Sequence, residues 1–318
     1  MNRGIAQSPS ALSPGTVALL VLLAFLWALC FPLINVGLAS SPPLMFAGLR
    51  AILAGGVLLA IGLLLGRPLP CGWRVWAMLA LVGLSATSLG FFGMFIGGGQ
   101  VAPGLATVIE NTQPLLTAVL AWLILGESLG PRRRLGLALG FAGILVISLP
   151  RLLNMEGAGS PIGIGYLLAG AAGVALANVT LKCLVGRADP LMVVGSQLVI
   201  GSAPLLVAGH FGEGGLIAVN WSRDFLFAWL TLSLAGTALA SLLWFMLLRR
   251  AALGRLTTFS FLTPIFGLVL GLTLFGERIG GFEMAGIVVA LIGVWYVARG
   301  DEQSETRETA CRLARGYE

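Results

Sequence analysis

Long apolar runs alternate along the chain with short breaks built from Gly, Pro and Arg. Five runs come first, Thr16–Leu38, Pro43–Leu65, Val75–Ile96, Ala102–Leu125 and Arg133–Leu149. Five more follow, Ile162–Val185, Pro190–Gly209, Phe225–Leu248, Ala251–Phe275 and Phe282–Ala298. Each is close to the roughly 20 apolar residues that a helix needs to cross the hydrocarbon core of a bilayer. Strands of a membrane barrel would alternate apolar and polar side chains over about ten positions, and these runs do not. The pattern predicts an all-α integral membrane protein of ten transmembrane helices. It leaves no length for a soluble catalytic module on a membrane anchor.

Composition agrees. Of the 318 residues 58% are hydrophobic and 10% are charged, with a mean hydropathy of +0.97, whereas about a quarter of an ordinary soluble domain is charged. The first run is longer than a signal-peptide core and lacks a small-residue cleavage pattern, so it reads as a retained helix. The formal charge of +6 implies no nucleic-acid partner, because the basic residues sit singly or in short clusters beside apolar runs. Cys30, Cys71, Cys183 and Cys311 show no metal-ligand spacing, and neither a disulfide nor a metal site is expected.

Those basic residues predict an orientation. Loops on the amino-terminal side hold Arg3, Arg67, Arg74, Arg132 to Arg134, Arg187, Arg249, Arg250, Arg255 and Arg299, eleven in all, against Arg151, Arg223 and Arg278 on the other side. The positive-inside rule then places both termini in the cytoplasm and the chain in the cytoplasmic membrane. The organisation expected is a cytoplasmic segment 1–15, a first five-helix unit 16–149, a second 162–299, and a polar tail 300–318 that reads as disordered and receives no function.

The second unit repeats the first. At a constant offset of 150 residues Ala102, Gly104, Thr107 and Pro114 fall on Ala252, Gly254, Thr257 and Pro264, and Gly126-Glu127 falls on Gly276-Glu277. Earlier in each unit Pro43-Leu44-Met45 resembles Pro190-Leu191-Met192, with Gly48 over Gly195 and Arg50 over Gln197. An odd number of helices per unit inserts the second copy upside down. Inverted repeats exchange two conformations and open a midplane site to alternate sides, so transport is expected; the other reading is a passive scaffold built by duplication.

The stretch from Thr237 to Phe245, the run Thr257 to Pro264 and the Gly276-Glu277-Arg278 that follows, with Leu26-Trp27-Ala28 and Gly48-Leu49-Arg50, resemble the EamA family of the drug/metabolite transporter superfamily. The resemblance runs from about Thr16 to Arg299. It implies a ten-helix exporter or permease of small metabolites, often amino acids, with a cavity lined mainly by the first, third, fourth, sixth, eighth and ninth helices. The family usually carries Trp-Gly where this chain has Trp27-Ala28, which puts glycine-mediated flexing at that point in question.

Glu110 is the sharpest chemical signal, a carboxylate some eight residues inside the fourth run, or about 12 Å along a helix rising 1.5 Å per residue. Unpaired, it would cost several kcal/mol there, and its repeat counterpart is the neutral Ser260. Arg50 lies at comparable depth, so a structural ion pair stands beside a coupling role. Asn111 and Gln113 offer donors and acceptors for a zwitterion or polar head group. On a continuous helix Gln113, not Asn111, would share the face of Glu110. Pro114 and Pro264 sit at equivalent points, where each should kink its helix, as a gate hinge or as a static bend; Pro32 would bend the first helix. Trp27 and Trp244 match family positions and could stack on cargo, with lipid contact or packing as the plainer reading; Phe91, Phe92 and Phe95 share the third span. Among weaker candidates, Asn35, Asn178, Lys182 and Gln197 are polar groups in or near spans, with Lys182 expected to snorkel. His210 is expected in a solvated external loop, and Glu127 and Glu277 are expected to cap turns or hold loop arginines.

The reading drawn from the sequence is a secondary transporter that exports small metabolites, amino acids foremost, by alternating access around Glu110. No cofactor is expected, and the absence of a Gly-Lys-Ser/Thr loop argues against direct drive by ATP. The partners are a small-molecule substrate and the lipid bilayer; proton coupling and a homodimer stay open. An uptake permease for a nucleotide-sugar, cofactor or vitamin is the alternative in the same class, disfavoured because Arg50 is the one clear mid-span cation. A membrane-embedded enzyme or lipid flippase is the alternative in another class. The chain's one histidine falls outside the spans, and no acid/base cluster supports an enzyme.

Overall fold

Proline opens many of the helices, where its fixed φ suits the first turn and its missing N–H is one that a helix start leaves unbonded. In chain order the helices are α1 (Pro14–Leu38), α2 (Pro43–Leu64), α3 (Trp73–Gly97), α4 (Gln113–Leu125), α5 (Pro131–Leu153), α6 (Pro161–Leu184), α7 (Pro190–Glu213), α8 (Arg223–Leu248), α9 (253–275) and α10 (Met284–Tyr296). The computed structural model describes residues 13–100, 109–127, 130–153, 160–275, 281–282 and 284–296. Thr107, Glu277, most of segment 1–15 and tail 300–318 lie outside the described residues. Among those described there is no strand, and six helices, α1, α2, α3, α6, α7 and α8, are long and apolar enough to cross a membrane.

Three of the helices are interrupted just before a proline. α1 breaks at Leu29, three residues ahead of Pro32. Before α4 a helical turn ends at Glu110, Asn111 and Thr112 form a turn, and the helix resumes at Gln113 with Pro114 in its first turn. α9 consists of Leu253–Thr258, a 3-10 turn Phe259–Phe261, and Leu262–Phe275, which contains Pro264. Proline has no N–H for the carbonyl four residues earlier and crowds it, so each disruption falls on the turn the sequence predicts. α3 and α8 depart from α-helix in another way, widening to π-helix over Gly83–Leu89 and Gly93–Gly97 in α3 and over Leu234–Leu239 in α8.

α2 and α7 lie antiparallel along their length. At one end the Glu213 carboxylate accepts the backbone N–H groups of Leu44 (3.1 Å) and Met45 (2.9 Å). At the other, Arg67 stands 3.7 Å from Asp189, which also caps α7 by accepting the Leu191 N–H at 2.9 Å. Glycines let the pair close, and their contacts are reciprocal. A Cβ on Gly62 would come within 3.0 Å of Met192, and one on Gly209 within 2.8 Å of Met45. Likewise Gly48 faces Leu206, and Gly195 faces Leu59. Adding 147 to 62, 45, 48 and 59 gives 209, 192, 195 and 206, so each contact in one helix is returned by its counterpart in the other.

α5 and α10 behave in the same way at an offset of 150. Gly143 packs on Ala290 and Gly286, and Gly293 packs on Gly140 and Gly136. Contacts of this kind, in which i meets j and the equivalent of i meets the equivalent of j, characterise a two-fold arrangement.

Two apolar clusters fill the bundle. One takes Leu20, Leu23 and Leu26 of α1 with Ala54 of α2 and Leu243 to Leu248 of α8. The other takes Ile34, Phe46, Phe95, Leu205, Phe225 and Leu232, with the Phe46 ring 5.5 Å from Phe95 and 5.3 Å from Phe225. Trp27 and Cys30 of α1, Arg50 of α2, and Gly236, Thr237 and Ser241 of α8 line a cavity.

Candidate functional site

That cavity, of about 230 Å³, receives side chains from α1, α2, α3, α6, α7, α8, α9 and the residues around the start of α4. α5 and α10 contribute none among the described lining residues. The first, third, fourth, sixth, eighth and ninth helices were expected; α2 and α7 add Arg50 and Gln197.

Arg50 projects from the middle of α2 and is 3% exposed. Its Nε donates to Thr237 Oγ1 at 2.6 Å, an Nη donates to Cys30 Sγ at 3.6 Å, and the guanidinium carbon lies 4.5 Å from the centre of the Phe91 ring. The other terminal nitrogen, Nη1, is buried without a hydrogen-bond partner. Thr237 sits in the π-helical part of α8 and passes its own proton to the Leu232 carbonyl, five residues back, at 2.9 Å. It therefore stays free to accept from Arg50.

The other half of the cavity holds a neutral version of this contact. Gln197, 147 residues after Arg50, accepts a hydrogen bond of 2.9 Å from Thr87, 150 residues before Thr237. Thr87 occupies the π-helical part of α3, as Thr237 does in α8. Both contacts tie the second helix of one half to the third helix of the other.

Glu110 lies at the interruption before α4, where Pro114 has no N–H to offer its carbonyl. Its side chain is half-buried on the cavity and has no hydrogen bond or ion pair with a described residue. Arg50 and Glu110 thus face one cavity without an ion pair to each other. Ser260, the repeat counterpart of Glu110, falls on the 3-10 turn of α9 and lines the same space.

Asn111 and Gln113, both candidates from the sequence, line the cavity, although on a regular helix Gln113 would be the favoured neighbour of Glu110. The 100° step that separates neighbours holds on a continuous helix, and here the helix is broken at Asn111 and Thr112. Trp27 and Trp244 meet across the cavity wall with ring centres 5.5 Å apart, and Trp244 Nε1 donates to Asn178 at 2.8 Å. Of the third-span aromatics Phe91 lines the cavity, whereas Phe95 is buried in the apolar cluster and Phe92 packs edge-on against Tyr166. Pro114 and Pro264 are not among the described lining residues.

Several residues carry more than the sequence suggested. Thr87, Thr237 and Thr263 line the cavity, and the Thr263 hydroxyl is buried without a partner. The 150-residue offset puts Thr87 on Thr237, and that match was the available signal. Lys182 reaches the end of α8, where its ammonium donates to the carbonyls of Leu248 (2.5 Å) and Ala251 (2.6 Å). Glu127 accepts the Leu253 N–H at 3.0 Å and so caps the start of α9. His210 belongs to the last exposed turn of α7 and not to a loop, because that helix runs on to Glu213.

Residues 15–149 and 161–299 each match the EamA-like transporter family. The chain belongs to that family. Among relatives of this EamA-like chain, an uncharacterized transporter of Bacillus subtilis, YvbV, is 32% identical over 285 residues, covering 89% of this chain and 91% of its own length. A probable amino-acid metabolite efflux pump of Escherichia coli is 30% identical over 300 residues, covering 88% and 93%. A solved crystal structure at 19% identity superposes with a TM-score of 0.76 over 90% of this chain and 98% of the other, which shows a shared fold. The family and these relatives are named as transporters, and the helices are apolar enough for a multi-pass membrane protein.

Proposed function

We propose that this protein exports small metabolites, amino acids foremost, across the cytoplasmic membrane by alternating access. The observation that carries the reading is the cavity lined by members of both apolar clusters and by both halves of the chain, onto which Arg50 and Glu110 face without an ion pair to each other. Its volume lies below the roughly 300–1,000 Å³ of pockets for drug-sized ligands, which favours small cargo. The efflux pump of Escherichia coli supports amino acids as the class.

Ten spans in two inverted units, 16–149 and 162–299, supply the mechanism. The two family matches, the antiparallel course of α2 and α7 and the returned glycine contacts support inversion. In this mechanism the two apolar clusters part in turn, and Glu110 releases or takes up a proton as cargo enters or leaves. The arginine asymmetry supports cytoplasmic termini.

The test is flux from proteoliposomes loaded with a panel of radiolabelled amino acids. Efflux of at least one, faster with an opposing proton gradient than without, is expected, with Glu110→Gln folding normally and losing that flux. Efflux indifferent to the gradient removes the proton step. Normal flux in Glu110→Gln leaves Glu110 a structural role.

A further inference from the structure

Among the described lining residues two have ionisable acidic or basic side chains, and each stands where the repeat has a neutral one. Arg50 corresponds to Gln197 and Glu110 to Ser260, and all four line the same space. The comparison acts as an internal control on what packing requires. Gln197 joins α7 to the π-helical part of α3 with one hydrogen bond to Thr87. Arg50 makes the equivalent join to Thr237 through Nε alone, so its positive charge and its remaining donors exceed what the join needs. A charged side chain in the middle of a membrane helix costs at least roughly 2.5–3.5 kcal/mol, and the architecture of the other half does without it. Ser260 likewise fills the turn before Pro264 without an acid.

Arg50 and Thr263 both line the cavity. Nη1 of Arg50 is buried with no hydrogen-bond partner, and so is the hydroxyl of Thr263. Glu110 has no hydrogen bond or ion pair among the described residues. A guanidinium presents donors in a fork that matches a carboxylate, and a carboxylate accepts from an ammonium.

We infer that the cavity recognises its cargo as a zwitterion, with the cargo carboxylate on Arg50 Nη1 and Thr263 and its ammonium on Glu110. The cargo class is an α-amino acid with an apolar side chain, because most of the remaining lining surface is apolar or aromatic, with Trp27, Phe91, Met94 and Trp244 foremost, although Asn111, Gln113 and Asn178 also line it. This rests on the transport reading and adds to it the orientation of the cargo and the need for both charged ends.

The test measures binding to the purified full-length protein by calorimetry and thermal shift. The probes are L-leucine, L-phenylalanine and L-methionine, their carboxamides, which lack the anion, and their N-acetyl derivatives, which lack the cation. The wild type should bind at least one parent amino acid about tenfold or more tightly than either of its blocked forms, as loss of a hydrogen bond to a charged group implies. Arg50→Gln copies the other half and should fold; it should bind the parent and its carboxamide alike while still rejecting the N-acetyl form. Glu110→Gln should show the converse, accepting the N-acetyl form as well as the parent and still rejecting the carboxamide. Equal binding of parent and blocked forms by the wild type, binding of none of the three parents, or two variants with unchanged discrimination would each overturn the inference. Proteoliposomes that move another solute while the three amino acids fail to bind would refute zwitterion recognition and leave transport standing.

Discussion

Gln197 accepts a hydrogen bond from Thr87 at 2.9 Å, and both side chains are buried. Removing either partner strands the other, which costs about 1–3 kcal/mol, whereas replacing both with apolar side chains of similar shape costs less. Thr87→Val and Gln197→Leu should each lower the thermal midpoint in detergent, and the double variant should lose less than the sum of the two. Additive losses would mean that the pair contributes nothing as a pair.

Pro114 and Pro264 follow the interruptions that carry Glu110 and Ser260. Alanine restores an N–H at each site and lets a regular turn form. Pro114→Ala and Pro264→Ala should therefore fold and keep cargo affinity while cutting transport rate severalfold, if the broken turns move during the cycle. Unchanged turnover in proteoliposomes would make them static bends.

Gly143 and Gly293 should respond alike to substitution. A Cβ on Gly143 would meet Ala290 N at 2.5 Å, and one on Gly293 would meet Gly140 N at 2.5 Å, in each case backbone that cannot step aside. Gly143→Ala and Gly293→Ala are each expected to cost about 1–3 kcal/mol, the usual penalty of overpacking, read as equal drops in thermal midpoint. A drop in only one of them would break the equivalence of the two helices.

At the ends of the α2 and α7 pair, Glu213 and Arg67 should differ. Glu213 caps two N–H groups of α2, and loss of a cap costs about 0.5–2 kcal/mol. The Arg67 contact to Asp189 is 3.7 Å long with Arg67 54% exposed, and exposed pairs contribute about 0–1 kcal/mol. Glu213→Ala should destabilise the protein measurably in a thermal melt, and Arg67→Ala should not.

The helices were legible because the hydrocarbon core demands long apolar runs, and the starts at Pro43 and Pro190 coincide with the predicted ones. The prolines marked the irregular turns for the same reason. What the sequence did not convey was local backbone geometry. A helical wheel through Glu110, Asn111 and Gln113 assumes the regularity that Pro114 removes, so its preference for Gln113 over Asn111 as the neighbour of Glu110 did not carry over. The π-helical segments left no mark on composition, which hid Thr87 and Thr237. Arg50 and Gln197 were aligned from the sequence, yet their partners lie 187 and 110 residues away, and no local pattern reports such a distance. The contacts of Lys182 were hidden in the same way, because the carbonyls it holds, at Leu248 and Ala251, lie 66 and 69 residues away.

The returned contacts of Gly62 with Met192 and of Gly209 with Met45 are those that two identical subunits would make across an axis. In a dimer of identical subunits any charge placed at the position of Arg50 would occur twice, facing its own copy. Joining the halves into a single polypeptide lifts that constraint: the arginine and the acid each enter the cavity once, and a symmetric scaffold acquires a polar direction along which a molecule can be told head from tail.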